Sequence, residues 1–379
     1  MIYLDNAATT PCFPEAAEEA ALCMTKGYWN PSAGYAQGLA AEKAMDETRA
    51  LIKSLVGGTK VVFTSGGTEA NNLALRGTMR KLRSKGHMIS TAMEHPSVLY
   101  TLRALEKEGH ELTLLRVENG QVDLDQLRNA IRPNTALLSL MQTNNETGAM
   151  ADIGACAQLA KSLSPQITVH CDGVQGFGKL PFSLDETGID LYTLSGHKLH
   201  APKGIGALVL RKGAHVEPLH TGGGQENDIR SGTENTPGIA GLYAALGLWA
   251  KNGPAYRAKT EALRRQLADG LLAGIGDIVV NSPAGGAHHI LNISFLGVRV
   301  ETLQHALEEE QILTGVGSAC SARRAKGLSE GLLAQGLSPQ RAESALRFSF
   351  SPLNTPDEIH QTLEAVTRQV ARLRQFRRK

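Results

Sequence analysis

The stretch ITVHCDGVQGFGKLPFSLDETGIDLYTLSGHKLHAPKGIGALVL, residues 167–210, decides the fold. It holds three short apolar runs, Ile167–Cys171, Leu191–Leu194 and Ile205–Leu210. They show little polar alternation, as expected for strands covered on both faces of a sheet. Two of them run straight into polar groups. The first meets Asp172 and Gln175, and the second meets Ser195-Gly196-His197-Lys198.

The same grammar extends upstream. Val61–Ser65, Met88–Thr91, Leu112–Val117 and Ala136–Thr143 read as further strands. Helix-like segments separate them, among them Thr68–Leu82, Ser97–Glu108 and Leu124–Ile131. Strand–helix alternation predicts an α/β domain with a mostly parallel, seven-stranded sheet. Downstream the character changes near Gly253-Pro254, where a helix over roughly Tyr256–Ala273 is expected to lead out of that domain. A strand at Ile290–Phe295 and a helix at Val300–Gln311 follow, then a Gly-rich segment around Gly315–Ser321. The last helix has clear punctuation: Thr355 as cap, Pro356 in its first turn, Asp357 and Glu358 at its positive end.

A chain of 379 residues with 42% apolar content suits two or three domains, two being the better expectation. A net charge of +2 gives no support to a nucleic-acid or membrane partner. Five cysteines, an odd count with no C-x-x-C pair, argue against a disulfide framework or a zinc cage, and no metal is expected. The opening MIYLDNAATTP has neither the basic nor the apolar region of a signal peptide. A cytoplasmic protein is the resulting expectation.

Polar residues that follow strands of an open α/β sheet lie at its carboxyl edge, where ligands bind. Ser65-Gly66-Gly67-Thr68, Glu94-His95, Asn144-Asn145-Glu146, Asp172 with Gln175, and Ser195 to Lys198 should therefore converge on one pocket. Gly67 and Thr68 open a helix whose free N–H groups suit a phosphate, although Gly-Gly-Thr also makes an ordinary turn and N-cap. Asp172 could hold a protonated pyridine nitrogen, or simply cap a helix beginning at Gly173. Lys198 could form a Schiff base if desolvated, and Lys203, between Pro and Gly, should be exposed. His95 could stack on a ring and move protons. Asn145 and Gln175 could hold a ring hydroxyl, or serve their turns. Arg347, in a strand-like run, has the fork that clamps a carboxylate, or that makes an ordinary salt bridge. Cys320 sits among small residues with Arg323, Arg324 and Lys326 nearby, a setting that favours thiolate and a mobile loop. Cys171, next to Asp172 on a strand, should face the other side of the sheet.

Taken in order, these segments resemble the cysteine desulfurases of the class V pyridoxal-phosphate-dependent aminotransferase family. The resemblance rests on Tyr3–Pro11 (YLDNAATTP), Thr64–Asn72 (TSGGTEANN), Glu94-His95, Asn144–Glu146, Asp172 with Gln175, and Ser195–Lys198. It continues through Gly222–Glu226, Arg230–Thr233, Gly317–Cys320 and Arg347–Ser349, and so spans nearly the whole chain. It implies a type I aminotransferase-like fold and a homodimer. Residues 14–255 would form the large cofactor-binding domain, and residues 1–13 with 256–379 a smaller α/β domain carrying the Cys320 loop. It further implies that Lys198 carries pyridoxal 5'-phosphate, with His95 on the ring and Asp172 at the pyridine nitrogen. Asn145 and Gln175 would hold the ring oxygen, and Gly67, Thr68, Ser195 and His197 the phosphate. Thr233 would reach the neighbouring subunit's phosphate. Arg347, aided by Asn145, would bind L-cysteine, and Cys320 would take its sulfur as a persulfide for an acceptor protein serving iron–sulfur cluster assembly or tRNA thiolation. The rivals are a selenocysteine lyase or other carbon–sulfur lyase on this fold, and a non-catalytic assembly scaffold. Three departures stand out: Gly173 where many relatives have Ala, a more basic Ser321–Gly327, and an unusual Gln225–Arg230.

Overall fold

A computed structural model describes residues 1–317 and 328–375. All seven expected strands form, in one sheet. They are β1 (Lys60–Thr64), β2 (His87–Thr91), β3 (Glu111–Leu115), β4 (Thr135–Met141), β5 (Thr168–Asp172), β6 (Leu191–Ser195) and β7 (Gly206–Leu210). Their spatial order is β1-β7-β6-β5-β4-β2-β3. β7 alone is antiparallel, to both β1 and β6, while the β6-β5-β4-β2-β3 pairs are parallel. The carboxyl ends of six strands therefore share one edge. Helices α1 (Pro14–Thr25) and α2 (Ala36–Val56) precede the sheet, and α3 (Gly67–Arg80) and α4 (Pro96–Lys107) follow β1 and β2.

Both faces of the sheet are covered, which explains the unalternating apolar runs. Val61, Ile89, Leu138, Val169, Cys171, Leu194 and Val209 enter one core with Phe177 and Trp249. Val62, Leu191, Leu208 and Leu210 pack on the opposite face under α3. Cys171 belongs to the first core, with its thiol pushed well up by burial.

The helix expected from Tyr256 begins twenty residues earlier. Helix α5 runs unbroken from Thr236 to Gly274 with Pro254 inside it. The Gly-Pro pair reads locally as a break, yet packing overrides it. Residues on the first half, Ile239, Leu242 and Trp249, belong to the large core, and Leu263, Leu267 and Leu271 on the second half belong to another. That second core includes Ile2, Leu4, Phe295, Leu346, Phe348 and Val366. It lies on the antiparallel sheet β8 (Ile278–Val280), β9 (Ile290–Phe295) and β10 (Ala345–Ser349). The N-terminal Ile2–Tyr3 pairs with Ile312–Leu313, and Asp5 bridges to Ser349, so both ends of the chain build this unit. Helix α6 (Pro356–Gln375) starts with a reciprocal cap: Thr355 N–H donates to Glu358 Oε2 at 3.0 Å, and Glu358 N–H donates to Thr355 Oγ1 at 3.3 Å.

Two departures from the family pattern have local explanations. A Cβ on Gly173 would fall 1.9 Å from Tyr192 Cζ, so the missing methyl makes room for that ring. Tyr192 in turn donates to Gln142 Oε1 at 2.7 Å. In the Gln225–Arg230 segment, Glu226, Asn227 and Asp228 all have left-handed backbone. Glu226 anchors that turn by accepting from Phe63 N–H at 3.1 Å and pairing with Arg49 at 2.7 Å.

Candidate active site

The carboxyl edge of the large sheet opens into a cleft of about 210 Å³. Gly67, Thr68, His95, Asn145, Asp172, Gln175, Ser195, His197, Lys198 and Arg347 all line it. Of the other residues named from the sequence, one borders another recess and one lies outside the described residues. Thr233 is exposed and borders a separate recess with Ser65, Gly204 and Arg230. Cys320 lies outside the described residues, as does the Ser321–Gly327 loop.

On the large-sheet wall the side chains arrive at or just after strand ends. Ser195 closes β6, and a single 3-10 turn, Gly196–Lys198, turns Lys198 into the cleft. Lys198 Nζ donates to the backbone oxygens of Ala7 at 2.6 Å and Ala8 at 2.7 Å. Lys203 is exposed, as its Pro-Lys-Gly setting predicts. Asp172 is the last residue of β5, and a turn follows it, not a helix, so the capping alternative fails. Its Oδ1 accepts from Val174 N–H at 3.1 Å and its Oδ2 from Asn71 Nδ2 at 2.8 Å. His95 caps α4. Burial holds its pKa down; Asp172 opposes that shift, and Lys198 adds to it. His197 is pushed down to about 3, by burial first and then by the neighbouring Lys198 and Lys203.

The opposite wall comes from the second unit. Arg347, on β10, is 2% exposed. Its Nη1 donates to Asn145 O at 2.8 Å and its Nη2 pairs with Asp5 at 2.5 Å, while Nε has no partner among the described residues. A charge this deeply buried needs such a counterion.

Sequence reasoning named no role for Asp5, for the Ala7 and Ala8 carbonyls, or for Asn71 and Ser97. Asp5 and the alanines lie in the quoted Tyr3–Pro11 segment, and Asn71 in Thr64–Asn72, so a signal was present without a geometry. Ser97 carried none.

The cleft suits pyridoxal 5'-phosphate. Gly66 has φ +152°, a conformation that demands glycine, and it starts α3 with its free N–H groups at the cleft beside Ser195. A Cβ on Gly67 would meet Val174 Cγ2 at 2.7 Å and close this cradle. At the other end a carboxylate, Asp172, stands ready for a ring nitrogen. Gln175 gives its amide N–H to Ala7 O at 2.9 Å and keeps Oε1 buried without a partner among the described residues, an acceptor for a ring hydroxyl.

Fold and site together define a pyridoxal-phosphate enzyme of the type I aminotransferase-like fold. The family model Aminotransferase class-V matches residues 2–362. Among curated proteins, the chain is 36% identical over 382 residues to cysteine desulfurase IscS of Clostridium botulinum (strain Hall), covering 99% of this chain and 96% of that one. It is 38% identical over 378 residues to cysteine desulfurase 1 of Trichormus variabilis, covering 99% and 94%. Of solved structures, a NifS-like protein superposes with a TM-score of 0.91 at 30% identity, over 98% of this chain and all of that one. SspA in complex with cysteine gives 0.82 at 33% identity, over 94% and 100%. The chain belongs to the class-V aminotransferase family.

Proposed function

We propose that this protein is a cysteine desulfurase. It takes sulfur from L-cysteine, releases L-alanine and holds the sulfur as a persulfide on Cys320 for an acceptor protein. The observation that carries this reading is one cleft with Lys198, His95 and Asp172 on one wall and a counterion-held Arg347 on the other. The similarity to enzymes named cysteine desulfurase supports it.

In this assignment Lys198 joins the cofactor covalently, and Asp172 holds the ring nitrogen. Gln175 and Asn145 face the ring oxygen, and Gly67, Thr68, Ser195 and His197 hold the phosphate. When bound, the pyridoxal group supplies an electron sink for the substrate's α-carbon. Lys198, whose amine lies against the Ala7 and Ala8 oxygens, would be the base that moves protons at that carbon. Arg347 receives the substrate carboxylate, held still by Asp5 and by Asn145 O. The Cys320 thiolate attacks the substrate sulfur. The new S–S bond forms as the C–S bond breaks, and the carbon skeleton takes a proton and leaves as alanine.

We further propose that residues 14–255 act as the cofactor-binding unit and residues 1–13 with 256–379 as the second, in the cytoplasm. The two separate cores support this division. Two copies would pair so that Thr233, exposed beside Ser65 and Gly204, reaches the partner's phosphate. Iron–sulfur scaffolds and tRNA-thiolation enzymes are the acceptors to test. The primary experiment is incubation with cysteine, alanine assay, and mass analysis of the Cys320 peptide. Alanine together with one added sulfur atom on that peptide is the expected result. Alanine without sulfur on Cys320, while Cys320→Ala transfers normally, would overturn the assignment.

A further inference from the structure

A chain of hydrogen bonds reaches His95 from behind. Ser97 N–H, in the first turn of α4, donates to His95 Nδ1 at 3.1 Å. Ser97 Oγ lies 2.8 Å from the same nitrogen. That hydroxyl accepts from Asn71 Nδ2 at 2.9 Å, and Asn71 Nδ2 also donates to Asp172 Oδ2 at 2.8 Å. An amide N–H has no lone pair to offer, so Nδ1 must be the acceptor and the ring proton belongs on Nε2. With Asn71 donating to its oxygen, the Ser97 hydroxyl is free to turn its own proton to Nδ1 as well.

We propose that Asn71 and Ser97 are positioning residues that fix His95 as the neutral tautomer with hydrogen on Nε2. In the resting enzyme His95 then turns an N–H, not a lone pair, toward its ligand. Taking a proton needs an open lone pair. The one on Nδ1 is engaged by two donors, and Nε2 already bears hydrogen. Forming imidazolium would strand the Ser97 amide, which is buried at the start of α4. Of the charged groups facing the ring, Asp172 favours the cation, while Lys198 and burial oppose it. This deepens the proposed function, because it assumes that Lys198 works in the same cleft.

The test is a long-range proton–nitrogen NMR spectrum of full-length, cofactor-loaded protein labelled with ¹⁵N-histidine. His95 signals are those missing from His95→Gln. The expected pattern is an unprotonated Nδ1 and a protonated Nε2 that persist from about pH 6 to about pH 8, the interval in which an unperturbed histidine changes charge. A proton on Nδ1, or a doubly protonated ring within that interval, would overturn the proposal. Ser97→Ala removes one donor and leaves the amide. It should shift the Nδ1 resonance and raise the acid limb of the kcat/KM profile by up to about one pH unit. Ser97→Thr, which keeps the hydroxyl, should restore both. An unchanged spectrum and profile in Ser97→Ala would remove the hydroxyl from this role. Should the tautomer be as assigned while cysteine yields no alanine, the desulfurase reading fails and the His95 assignment stands.

Discussion

The two walls of the cleft are built in different ways. The wall from the large sheet is local: Thr68, His95, Asp172 and Lys198 each follow or close a strand within a few residues. The facing wall is long-range. Arg347 lies 342 residues from its counterion Asp5. Chemistry on the first wall is written in strand-end motifs, and chemistry on the second depends on the chain's two ends meeting. Substitutions on the first wall should therefore abolish a step, and those on the second should misplace the substrate.

The largest expected effect is on the first wall. Lys198→Ala should lose the yellow, borohydride-sensitive chromophore and lower kcat by about a thousandfold or more, since a nucleophile and a base vanish together. A yellow, active variant would break the comparison at its root. On the second wall, Arg347→Ala should raise KM for cysteine by about ten- to a hundredfold, the value of a charge-assisted pair of hydrogen bonds. Asp5→Asn should raise KM by a smaller factor, about tenfold or less, with kcat little changed. An equal fall in kcat for Asp5→Asn would show that this wall takes part in chemistry beyond placement.

Gly173→Ala probes the packing beneath the first wall. Its methyl would collide with the Tyr192 ring, which has no room to retreat, at a cost of about 1–3 kcal/mol in denaturant unfolding. Gly173→Ala with Tyr192→Leu should recover part of that loss, and additivity of the two would refute the coupling.

The smallest effect concerns Glu94, buried beside His95 with its pKa raised to about 8, first by burial and also by Asp172. Its Oε1 accepts from Thr91 Oγ1 at 2.8 Å and Met141 N–H at 3.1 Å. A carboxyl whose folded pKa exceeds its unfolded value binds more protons when folded. Stability should therefore decline as pH rises between about 4.5 and about 8, because the buried group must then ionise. Glu94→Gln mimics the protonated form, so its unfolding free energy should be flatter over that window. An identical pH slope in the variant would refute this account.

Strand-end patterning also made the cleft largely legible. All seven strands and most lining residues follow from apolar runs and the polar groups after them, because a residue's place on a strand end depends only on its neighbours. The start of α5 escaped that logic. Gly253-Pro254 looks like a boundary, but two cores grip the helix on either side of it. Ser97 escaped as well, since a serine in the first turn of a helix becomes meaningful only when Asn71 and His95 are seen to flank it.

The sequence by itself determined the doubly covered, mostly parallel sheet, the lysine at its edge and the carboxylate at the end of another strand, through periodicity and short-range order. Only the tertiary structure decided which partners those groups face. Asp5 neutralises Arg347, alanine carbonyls hold Lys198, and Ser97 engages His95 Nδ1. Hydrogen bonds and ion pairs act over a few ångströms of space, and the chain distance between their members carries no trace of that separation.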